Sequence, residues 1–510
     1  MNNILAQLLL MFLCVSVTTQ AQWSQVGIDI DGETGDSSGR VLDINSDGSV
    51  VVIGAIGNEN NGFQAGQVRI YKNINGNWGQ IGQDINGEEP YDHAGSSVSI
   101  SSNGLVVAIG AIGNDGNGLQ AGNVRVFKNI NNSWVQLGNN IEGDTHDFSG
   151  GSVSLNDDGS IVAIGEPRND GNGVDSGRVR IYKIINNNWI QLGQDIYGEE
   201  AHDHFGGGGP YIINSGESVS LNSNGNVLAV AAQFNDGNGT DSGHVRIYKF
   251  ISIINNGTWL QIGQDIEGEE AGDELGLSLD LNFSGSIIAI ASNKNDGNGI
   301  EQGQVRIFEN IGDNWVQIGQ SLYGEYNEDW FGSSLSLSSD GSIIAIGAKL
   351  NDSNGDKSGY VQIYNNSNGM WGQIGEDIIG ESELNFSGIA VSLSSDGAIL
   401  AIGATGNNDN GENSGHVRVF KNESLGILES SNLQVSIYPN PAKEILNLKY
   451  TNNISSRVII YDVLGKLMYK EQLSFNNNLL KIDISNFEKG IYFIKIQDLN
   501  QVHSAKFIKD

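Results

Sequence analysis

The chain has 510 residues, enough for a large core, and its 70 glycines against 5 prolines suit a fold with many tight turns. Its formal net charge is −33. The charge is uneven, because residues 433–510 hold ten Lys or Arg against seven Asp or Glu, so the remainder carries −36. A surface this acidic repels phosphate groups. We therefore expect neither nucleic acid nor anionic membrane as a partner, and the charge indicates solubility or cation binding.

Residues 1–21 are predicted to be a signal peptide. An apolar run from Ile4 to Val17 is followed by Thr19 and Ala21, which are small residues at positions −3 and −1 of a cleavage site. The run is shorter than the ~20 residues that a membrane-spanning helix needs, so we expect no transmembrane segment in the mature chain. The only cysteine, Cys14, lies in this segment, and the mature chain is expected to have no disulfide and no cysteine metal ligand.

After residue 21 one sequence unit is repeated seven times. Each copy is marked by a tryptophan, and the spacings are 55, 56, 55, 70, 56 and 56 residues. The seven positions are Trp23, Trp78, Trp134, Trp189, Trp259, Trp315 and Trp371. A fixed period of this size indicates a supersecondary unit that buries its apolar faces only against copies of itself.

Each copy predicts four short strands, labelled a to d. Strand a alternates apolar residues with serine, as in Gly332 to Ser338, whereas strand b is a short continuous apolar run such as Ile343 to Ala348. Strand c is rich in β-branched and aromatic residues, as in Val179 to Lys183, and strand d carries the tryptophan. Most of the a–b links contain Asp-Gly or Asn-Gly, a tight-hairpin signal, as at Asp47. The pattern predicts an all-β fold, a seven-bladed β-propeller over residues 22–422.

The order of the strands also predicts how the ring closes. Strands a, b and c occur seven times after residue 38, the last ending at Lys421, but strand d follows strand c only six times. The missing strand d lies at the start, from Trp23 to Ile30. We expect this segment to complete the blade that ends near Lys421, so that no sheet edge is left open.

The repeats resemble FG-GAP repeats, the units of the integrin α-subunit propeller, from residue 22 to about 424. Phe205-Gly206 and Phe331-Gly332 match the FG, and Gly347-Ala348 matches the GA. The resemblance implies a seven-bladed propeller and makes calcium the candidate cofactor. The calcium loop of the family is approached only by Asp43, Asn45 and Asp47, and a plain hairpin turn is the competing interpretation there.

The C-terminal part has a different pattern. Residues 423–432 are polar and unrepeated and predict a linker, and residues 433–510 predict a small antiparallel β-sandwich of six or seven strands. Tyr438-Pro439-Asn440-Pro441, the hairpin from Asp462 to Lys466 and the strand that begins at Gly490 resemble the type A C-terminal sorting domain of type IX secretion. The resemblance implies that residues 433–510 are recognised by the type IX machinery. It further implies export across both membranes, removal of the domain, and release from or attachment to the cell surface.

Candidate site residues lie in the links between strands. Because neighbouring strands run in opposite directions, the b–c and d–a links should emerge on the same face, which would collect most of the acidic side chains and the longer loops, where binding sites concentrate. The alternative is that each repeat carries a solvated acidic turn. The binding candidates are Glu88, Asp92, His93, Asp147, His202, Asp203, His204, Tyr211, Asp273, Asp329 and Trp330. The candidate calcium ligands are Asp43, Asn45 and Asp47, together with Asp115, Asp170, Asp236 and Asp296 of the b–c links.

Two further patterns bear on chemistry. Histidines stand beside acids in the d–a links, as at His93 and His204, but no Ser or Cys nucleophile motif accompanies them, which favours polar surface loops over a catalytic pair. The arginines of strand c recur too regularly for a ligand site, and we expect them to pair with acids between blades. They are Arg69, Arg125, Arg180, Arg246, Arg306 and Arg418.

Two functions remain open from the sequence. The first is a secreted, surface-displayed binding or adhesion propeller for an extracellular glycan or protein, without catalytic activity. The second is a secreted polysaccharide hydrolase or lyase with its site in the central depression. The near-identity of the repeats favours the first, because catalysis needs unique polar groups that break the repeat symmetry, and a group of unlike carboxylates at the axis would favour the second.

Overall fold

The computed structural model describes residues 23–207, 218–252 and 257–422 and, nearer the C terminus, 436–438, 442–449, 457–462, 466–472, 479–497 and 502–509. The predicted signal peptide, the predicted linker and Tyr211 lie outside the described residues. The regular elements of the described parts are β-strands. None of these parts holds a helix long and apolar enough to span a membrane.

Seven five-stranded sheets form the blades of a propeller. The chain opens with β1 (Trp23–Gln25) and β2 (Ile30–Asp31). Blade 1 is β3 (Val41–Ile44), β4 (Val50–Ala55), β5 (Gln67–Ile74), β6 (Asn77–Gln80) and β7 (Ile85–Asn86). Blade 2 is β8 (Ala94–Ile100), β9 (Val106–Ala111), β10 (Asn123–Ile130), β11 (Ser133–Gln136) and β12 (Ile141–Glu142). Blade 3 is β13 (Ser152–Leu155), β14 (Ile161–Glu166), β15 (Arg178–Ile185), β16 (Asn188–Gln191) and β17 (Ile196–Tyr197).

The remaining blades follow the same order. Blade 4 is β18 (Val219–Leu221), β19 (Val227–Ala232), β20 (His244–Ile251), β21 (Thr258–Gln261) and β22 (Ile266–Glu267). Blade 5 is β23 (Leu279–Leu281), β24 (Ile287–Ser292), β25 (Gln304–Asn310), β26 (Trp315–Gln317) and β27 (Leu322–Tyr323). Blade 6 is β28 (Phe331–Leu337), β29 (Ile343–Ala348), β30 (Tyr360–Ser367), β31 (Met370–Gln373) and β32 (Ile378–Ile379). Blade 7 combines β33 (Ala390–Leu393), β34 (Ile399–Ala404) and β35 (His416–Asn422) with β1 and β2.

The predicted strand d is present in every blade, but it is divided into two short pieces. In blade 1 both β6 and β7 pair with β5, through Ile74 opposite Asn77 and Val68 opposite Ile85. Between the two pieces lies Gly82, in the left-handed region with φ 75°. A side chain there would clash, because its Cβ would stand 2.6 Å from the Trp134 ring of the next blade. The seven-bladed all-β prediction is confirmed, with this interruption added.

Ring closure occurs as predicted. Trp23 pairs with Asn422 and Ile30 with Val417, so β1 and β2 form the outer strand of blade 7. Between them the Val26 amide donates a hydrogen bond to the Val419 carbonyl at 2.7 Å. The first strand of the chain and the last strand of the propeller therefore share one sheet.

The core lies between blades and explains the apolar run of strand b. Alternate residues of β9 face opposite neighbours: Val107 packs in a cluster with strands of blade 1, whereas Val106 and Ala108 pack with strands of blade 3. Both faces of the strand are thus covered, and Val107 is fully buried. Burying a side chain of this type contributes about 1.5–3 kcal/mol.

Two closed rings of hydrogen bonds surround the axis. In the first, the backbone amide after each strand a donates to the carbonyl of the equivalent residue in the next blade, and Ser395 of blade 7 donates to Ser46 of blade 1. The seven members are Ser46, Ser102, Asp157, Ser223, Phe283, Ser339 and Ser395. In the second ring, a side chain on strand a accepts a hydrogen bond from a backbone amide of the next blade. Its members are Asp43, Ser99, Ser154, Ser220, Asp280, Ser336 and Ser392.

Residues 427–510 form a second compact unit, separate from residues 1–426. Its strands are β36 (Ser436–Tyr438), β37 (Ile445–Lys449), β38 (Arg457–Asp462), β39 (Leu467–Gln472), β40 (Leu479–Asp483), β41 (Gly490–Gln497) and β42 (Val502–Lys509). They form an antiparallel three-stranded sheet, β36-β37-β40, and an antiparallel four-stranded sheet, β39-β38-β41-β42. Leu448 and Ile482 of the first sheet share one apolar cluster with Ile460 and Ile494 of the second.

Candidate functional site

The b–c and d–a links lie on one face, which we call the loop face, and buried Asp–Asn pairs tie them together. The Asp92 carboxylate accepts hydrogen bonds from the amides of Glu88 and Glu89 in its own link and from Asn114 Nδ2 in the b–c link, the last at 3.2 Å. The same Asp–Asn bond recurs at Asp36–Asn58, Asp147–Asn169, Asp203–Asn235 and Asp329–Asn351. Asp273 likewise accepts from the backbone of its own link.

These contacts place the predicted acids of the d–a links inside the loops. Asp92, Asp147, Asp203, Asp273 and Asp329 are each at most 4% exposed. Their carboxylates are saturated by local donors, which leaves little capacity for an external ligand. The proposed binding surface therefore does not include these five aspartates.

The predicted acids of the b–c links are exposed and close their own loops. The Asp115 carboxylate accepts from the Gln120 amide at 2.7 Å, five residues ahead. The same bond is made by Asp170, Asp236 and Asp296. Two other predicted residues are also exposed: Glu88 lies 4.0 Å from Arg125, and His202 lies 3.9 Å from Asp175.

The three residues that approach a calcium loop serve different structures. Asn45 Nδ2 donates to Asp47 Oδ1 at 2.9 Å, and Asn45 Oδ1 accepts from the Val50 amide, so both side chains stabilise the a–b hairpin. Asp43 instead accepts from the Ile100 amide and from Ser392 Oγ in the side-chain ring around the axis. No contact of Asp43 with Asn45 or Asp47 side chains is among those of the described residues. Calcium at this turn stays a prediction.

The axis itself holds a polar cavity of about 180 Å³ lined by three carboxylates, Asp43, Asp157 and Asp280, and two of them, Asp43 and Asp280, break the symmetry of the side-chain ring. Asp43 and Asp280 stand where the other five blades have serine. Burial raises the pKa of Asp43 to about 6 and that of Asp280 to about 7, and the charge of Asp43 contributes to the raised pKa of Asp280. Asp280 was not singled out by the sequence pattern, although it replaces serine in the apolar–serine alternation of strand a.

On the loop face, the entrance to strand a carries one residue per blade with the same backbone but a different side chain. All seven are in the left-handed region, with φ between 51° and 55°. They are Ser37, His93, Phe148, His204, Glu274, Trp330 and Phe386. Because the backbone is the same in all blades and the side chain differs, each of these positions can make its own specific contact with a ligand. Three of the predicted binding residues, His93, His204 and Trp330, are among the seven.

Two lysines lie beside the Trp330 ring on the loop face. Lys349 Nζ lies 5.3 Å and Lys294 Nζ 6.0 Å from the Trp330 ring centroid. Lys294 also forms an ion pair with Glu274 at 2.8 Å. Arg40 of blade 1 lines a small cavity at the axis, and its charge lowers the pKa of Lys349 of blade 6, so the two cations lie near each other. We call Arg40, Lys294, Trp330 and Lys349 the axial mouth.

The electrostatics of the axial mouth are unlike those of the rest of the loop face. Burial, followed by the charge of Arg40, lowers the pKa of Lys349 to about 8, and burial lowers the pKa of Arg40 to about 10. Burial also lowers the pKa values of His93 and His204. No acidic side chain of the described residues forms an ion pair with Lys349, which is 6% exposed. Lys349 thus lies close to a second cation, Arg40, and a lysine in such surroundings attracts anions.

The arginines of strand c differ from Lys349 because they form ion pairs with acids. As expected from the sequence, they pair with acids of the neighbouring blade's link: Arg69 lies 2.6 Å from Glu33. Equivalent pairs are Arg125–Glu88, Arg246–Glu199, Arg306–Glu269 and Arg418–Glu381. Arg180 departs from the pattern and pairs with the buried Glu166 of its own blade.

The sequence pattern did not single out Arg40, Lys294 or Lys349. A signal for two of them was present, because the residue directly after strand b is Ile56 or Ile112 in early copies and Lys349 in the sixth, and Lys294 stands where Gly57 and Gly113 occur. Such departures from a repeat are informative only once the strands are aligned.

Comparisons with known proteins agree with this architecture. The profile described as "Secretion system C-terminal sorting domain" matches residues 436–510, and the profile "FG-GAP repeat" matches residues 326–364. The chain therefore carries FG-GAP-type repeats on a seven-bladed β-propeller and a C-terminal sorting domain of type IX secretion. The sorting domain makes it a secreted or cell-surface protein that engages the secretion machinery.

Individual relatives are remote. An endo-acting ulvan lyase of Formosa agariphila is 34% identical over 94 residues, which is 17% of this chain and 17% of the lyase. The solved structure of U3-55K has a TM-score of 0.46 at 12% identity and covers 78% of this chain and 98% of its own. The periplasmic gluconolactonase of Pseudomonas aeruginosa has a TM-score of 0.43 at 12% identity, covering 89% and 98%. At this level of similarity no activity is transferred to this chain.

Proposed function

We propose that this protein is an extracellular binding propeller that holds an anionic glycan at the axial mouth of its loop face. The observation that carries the proposal is the buried Lys349, which lies 5.3 Å from the Trp330 ring centroid and near a second cation, Arg40, in a chain whose net charge is −33. A carboxylate or sulfate group of a polysaccharide would neutralise Lys349 and would also be attracted by Arg40. The surrounding acidic rim would at the same time disfavour anions elsewhere on the surface.

Trp330 supports a carbohydrate as the carrier of that anion. Its ring is partly exposed beside Lys294 and Lys349, and its indole nitrogen is held by Glu301 Oε2 at 2.9 Å. An aromatic face fixed in this way offers apolar area with little loss of conformational entropy, while the lysines provide charge-assisted hydrogen bonds. Sites that combine an aromatic surface with a few convergent polar groups are typical of small-ligand recognition.

The test is binding of soluble anionic and neutral polysaccharides to the full chain by affinity electrophoresis and calorimetry. We expect binding to sulfated or uronic-acid polymers, weakening as sodium chloride is added, and none to the neutral polymers. Lys349→Gln introduces the residue that blade 4 has at this position, Gln233, and should weaken binding about tenfold or more.

Lys128→Gln is the matched control, because Lys128 is an exposed lysine of β10 with the same charge. It should leave binding unchanged. Equal loss in both variants would mean that only net charge matters, and preferential binding of an acidic protein in the same assay would replace the glycan by a protein partner.

A second candidate, a polysaccharide hydrolase or lyase, is favoured by one observation, the pair Asp43 and Asp280 in the axial cavity. It predicts shortening of a polysaccharide by the wild-type chain that is lost when both residues are replaced by serine. Under the binding proposal no shortening occurs and the double variant binds as the wild type does.

A further inference from the structure

Three acidic residues and one histidine meet where the propeller ring closes. His416 begins β35 and pairs with Asp31 of β2, the segment supplied by the start of the chain. Asp29 directly precedes β2, Glu381 lies in the link from blade 6 to blade 7, and Asp409 lies in the b–c link of blade 7. One ligand atom from each of Asp29, Glu381, Asp409 and His416 lies within 4.8 Å of all the others.

The histidine is the second, independent feature of this cluster. Its side chain is fully buried, and neither ring nitrogen has a hydrogen-bond partner among the described residues. Its Nδ1 nonetheless points at the acids, 3.3 Å from Asp29 Oδ2 and 3.9 Å from Glu381 Oε2. A buried polar group without a partner is costly and rare, and it indicates a missing ligand.

The positive charge nearby does not balance the three carboxylates. Burial, followed by the charge of Arg418, lowers the pKa of His416 to about 4, so the imidazole is neutral at neutral pH. Among the described residues, Arg418 forms an ion pair with Glu381, at 3.4 Å, and donates a hydrogen bond to the Ile379 carbonyl. Further acids face the same place, because Asp29 and Asp409 both raise the pKa of Asp31 after burial. A neutral imidazole among carboxylates is the form in which histidine binds metal.

Blade 4 holds the same arrangement with its charge already neutralised. Glu199, His244 and Asp265 occupy the positions of Glu381, His416 and Asp29. There, however, Arg246 lies 2.5 Å from Glu199 and 2.7 Å from Asp265 and joins the two acids. The position of Asp409 is Gly237 in blade 4, so this position offers no ligand there. The two blades thus differ in the features a cation needs.

We propose that Asp29, Glu381, Asp409 and His416 bind one divalent transition-metal ion, of the class of Zn²⁺ or Mn²⁺. Ligand atoms at 2.0–2.2 Å from such an ion are at most about 4.4 Å apart, so a small closing movement from the present geometry forms the site. The imidazole nitrogen distinguishes these ions from Ca²⁺, which takes oxygen ligands. The ion connects Asp29 of the N-terminal segment with blade 7 and with the link that leads from blade 6, and it therefore holds the ring closed. The inference is independent of the glycan-binding proposal.

The experiment is calorimetric titration of the full, tag-free, metal-stripped chain with Zn²⁺, Mn²⁺ and Ca²⁺, together with its melting temperature. We expect one Zn²⁺ or Mn²⁺ per chain and a higher melting temperature, since an ion that binds only the folded state stabilises it. Ca²⁺ at the same ionic strength should not compete for this site. Bound Co²⁺ should show the visible absorption of a nitrogen- and oxygen-ligated ion.

Three variants decide the assignment. Asp409→Gly copies blade 4, and His416→Gln copies Gln67 and Gln304 at the equivalent place in blades 1 and 5. Each should weaken Zn²⁺ binding at least about tenfold and remove its effect on melting. His244→Gln is the control and should change neither. Binding that survives both site variants, or that is lost with His244→Gln, overturns the proposal. If His416→Gln fails to fold, Asp409→Gly carries the test, because Asp409 is exposed in a loop.

Discussion

At the scale of single residues, Asp43 and Asp280 have the clearest energetic consequence. Both take the place of a serine and accept a backbone hydrogen bond from the next blade at 2.9 Å, but they do so with an ionisable group. Their pKa values, raised by burial to about 6 and about 7 from 3.8, mean that the folded state holds protons that the unfolded chain releases. The folded state is thus favoured by protonation, and stability from this source is lost as pH rises from about 4 to about 7.

Replacing Asp43 and Asp280 by serine should remove this loss. Each tenfold difference in acidity corresponds to about 1.4 kcal/mol, so the double variant should be more stable than the wild type by several kcal/mol at pH 8 and by little at pH 4. Urea unfolding at a series of pH values measures the difference. Ser154→Asp, a change at an equivalent ring position, should introduce the same pH dependence. If the free energy of unfolding changes with pH in the same way in all variants, the pKa values of Asp43 and Asp280 are not the source of the pH dependence.

The residue scale is also where sequence reasoning was least complete. The recurring acids of the d–a links, such as Asp92, attracted attention as ligands, although their regular recurrence reflects the shared backbone bonds of every link. Lys349 and Asp280 are single departures from a repeat, and their importance depends on which side chains meet at the axis. The distance between side chains of different blades cannot be predicted from the spacing of residues along the sequence.

At the scale of elements, the outer strand of blade 7 is the point on which the ring depends. Val26 is tied twice: its amide donates to the Val419 carbonyl at 2.7 Å, and its carbonyl accepts from Trp78 Nε1 at 2.8 Å. The segment therefore joins blade 7 to blade 1 as well as closing the sheet. Such a contact between the ends of a repeat array stabilises every blade through its neighbours.

Val26→Pro should weaken the pairing of the N-terminal segment with β35. Proline removes the amide that bonds Val419, at a cost of about 3 kcal/mol or more, and leaves Asp29 of the proposed metal site in place. We expect a sharply lower melting temperature by calorimetry. Gln25→Pro is the control for backbone strain, because amides alternate in direction along an antiparallel strand and that of Gln25 points away from β35. Gln25 Nε2 also donates to Asp29 Oδ1, so the two prolines are compared in metal-free protein. Equal effects of the two prolines would show that backbone strain, not the lost bond, is being measured.

Most of this level could be predicted from the sequence. Strands, hairpins and the closing segment follow from period-two alternation, apolar runs and the count of strand d, all of which are local or additive signals. The division of strand d into β6 and β7 could not, because it depends on the Trp134 ring of the next blade pressing against Gly82. A contact between blades decides the shape of an element within one blade.

At the scale of the whole molecule, the two compact units separate folding from export. The propeller has its own cores and closure, and the sorting domain has its own apolar cluster. Deleting residues 433–510 should therefore leave a folded propeller in the periplasm, detected by fractionation and surface labelling. Residues 433–510 fused to an unrelated folded protein should send that protein to the surface. Normal surface amounts of the truncated propeller would contradict the role of the domain.

The pairing of β1 with β35 has a consequence for how the molecule is made. Ser24 and Lys421 are 397 residues apart in the chain, yet they are partners in one sheet. During synthesis the first strand is complete long before its partner exists, so blade 7 keeps an open edge until nearly the whole propeller has been translated. The sorting domain is the next segment to appear after Asn422. Because residues 436–510 follow the last propeller strand, a chain that carries the complete sorting domain already contains every strand of the propeller.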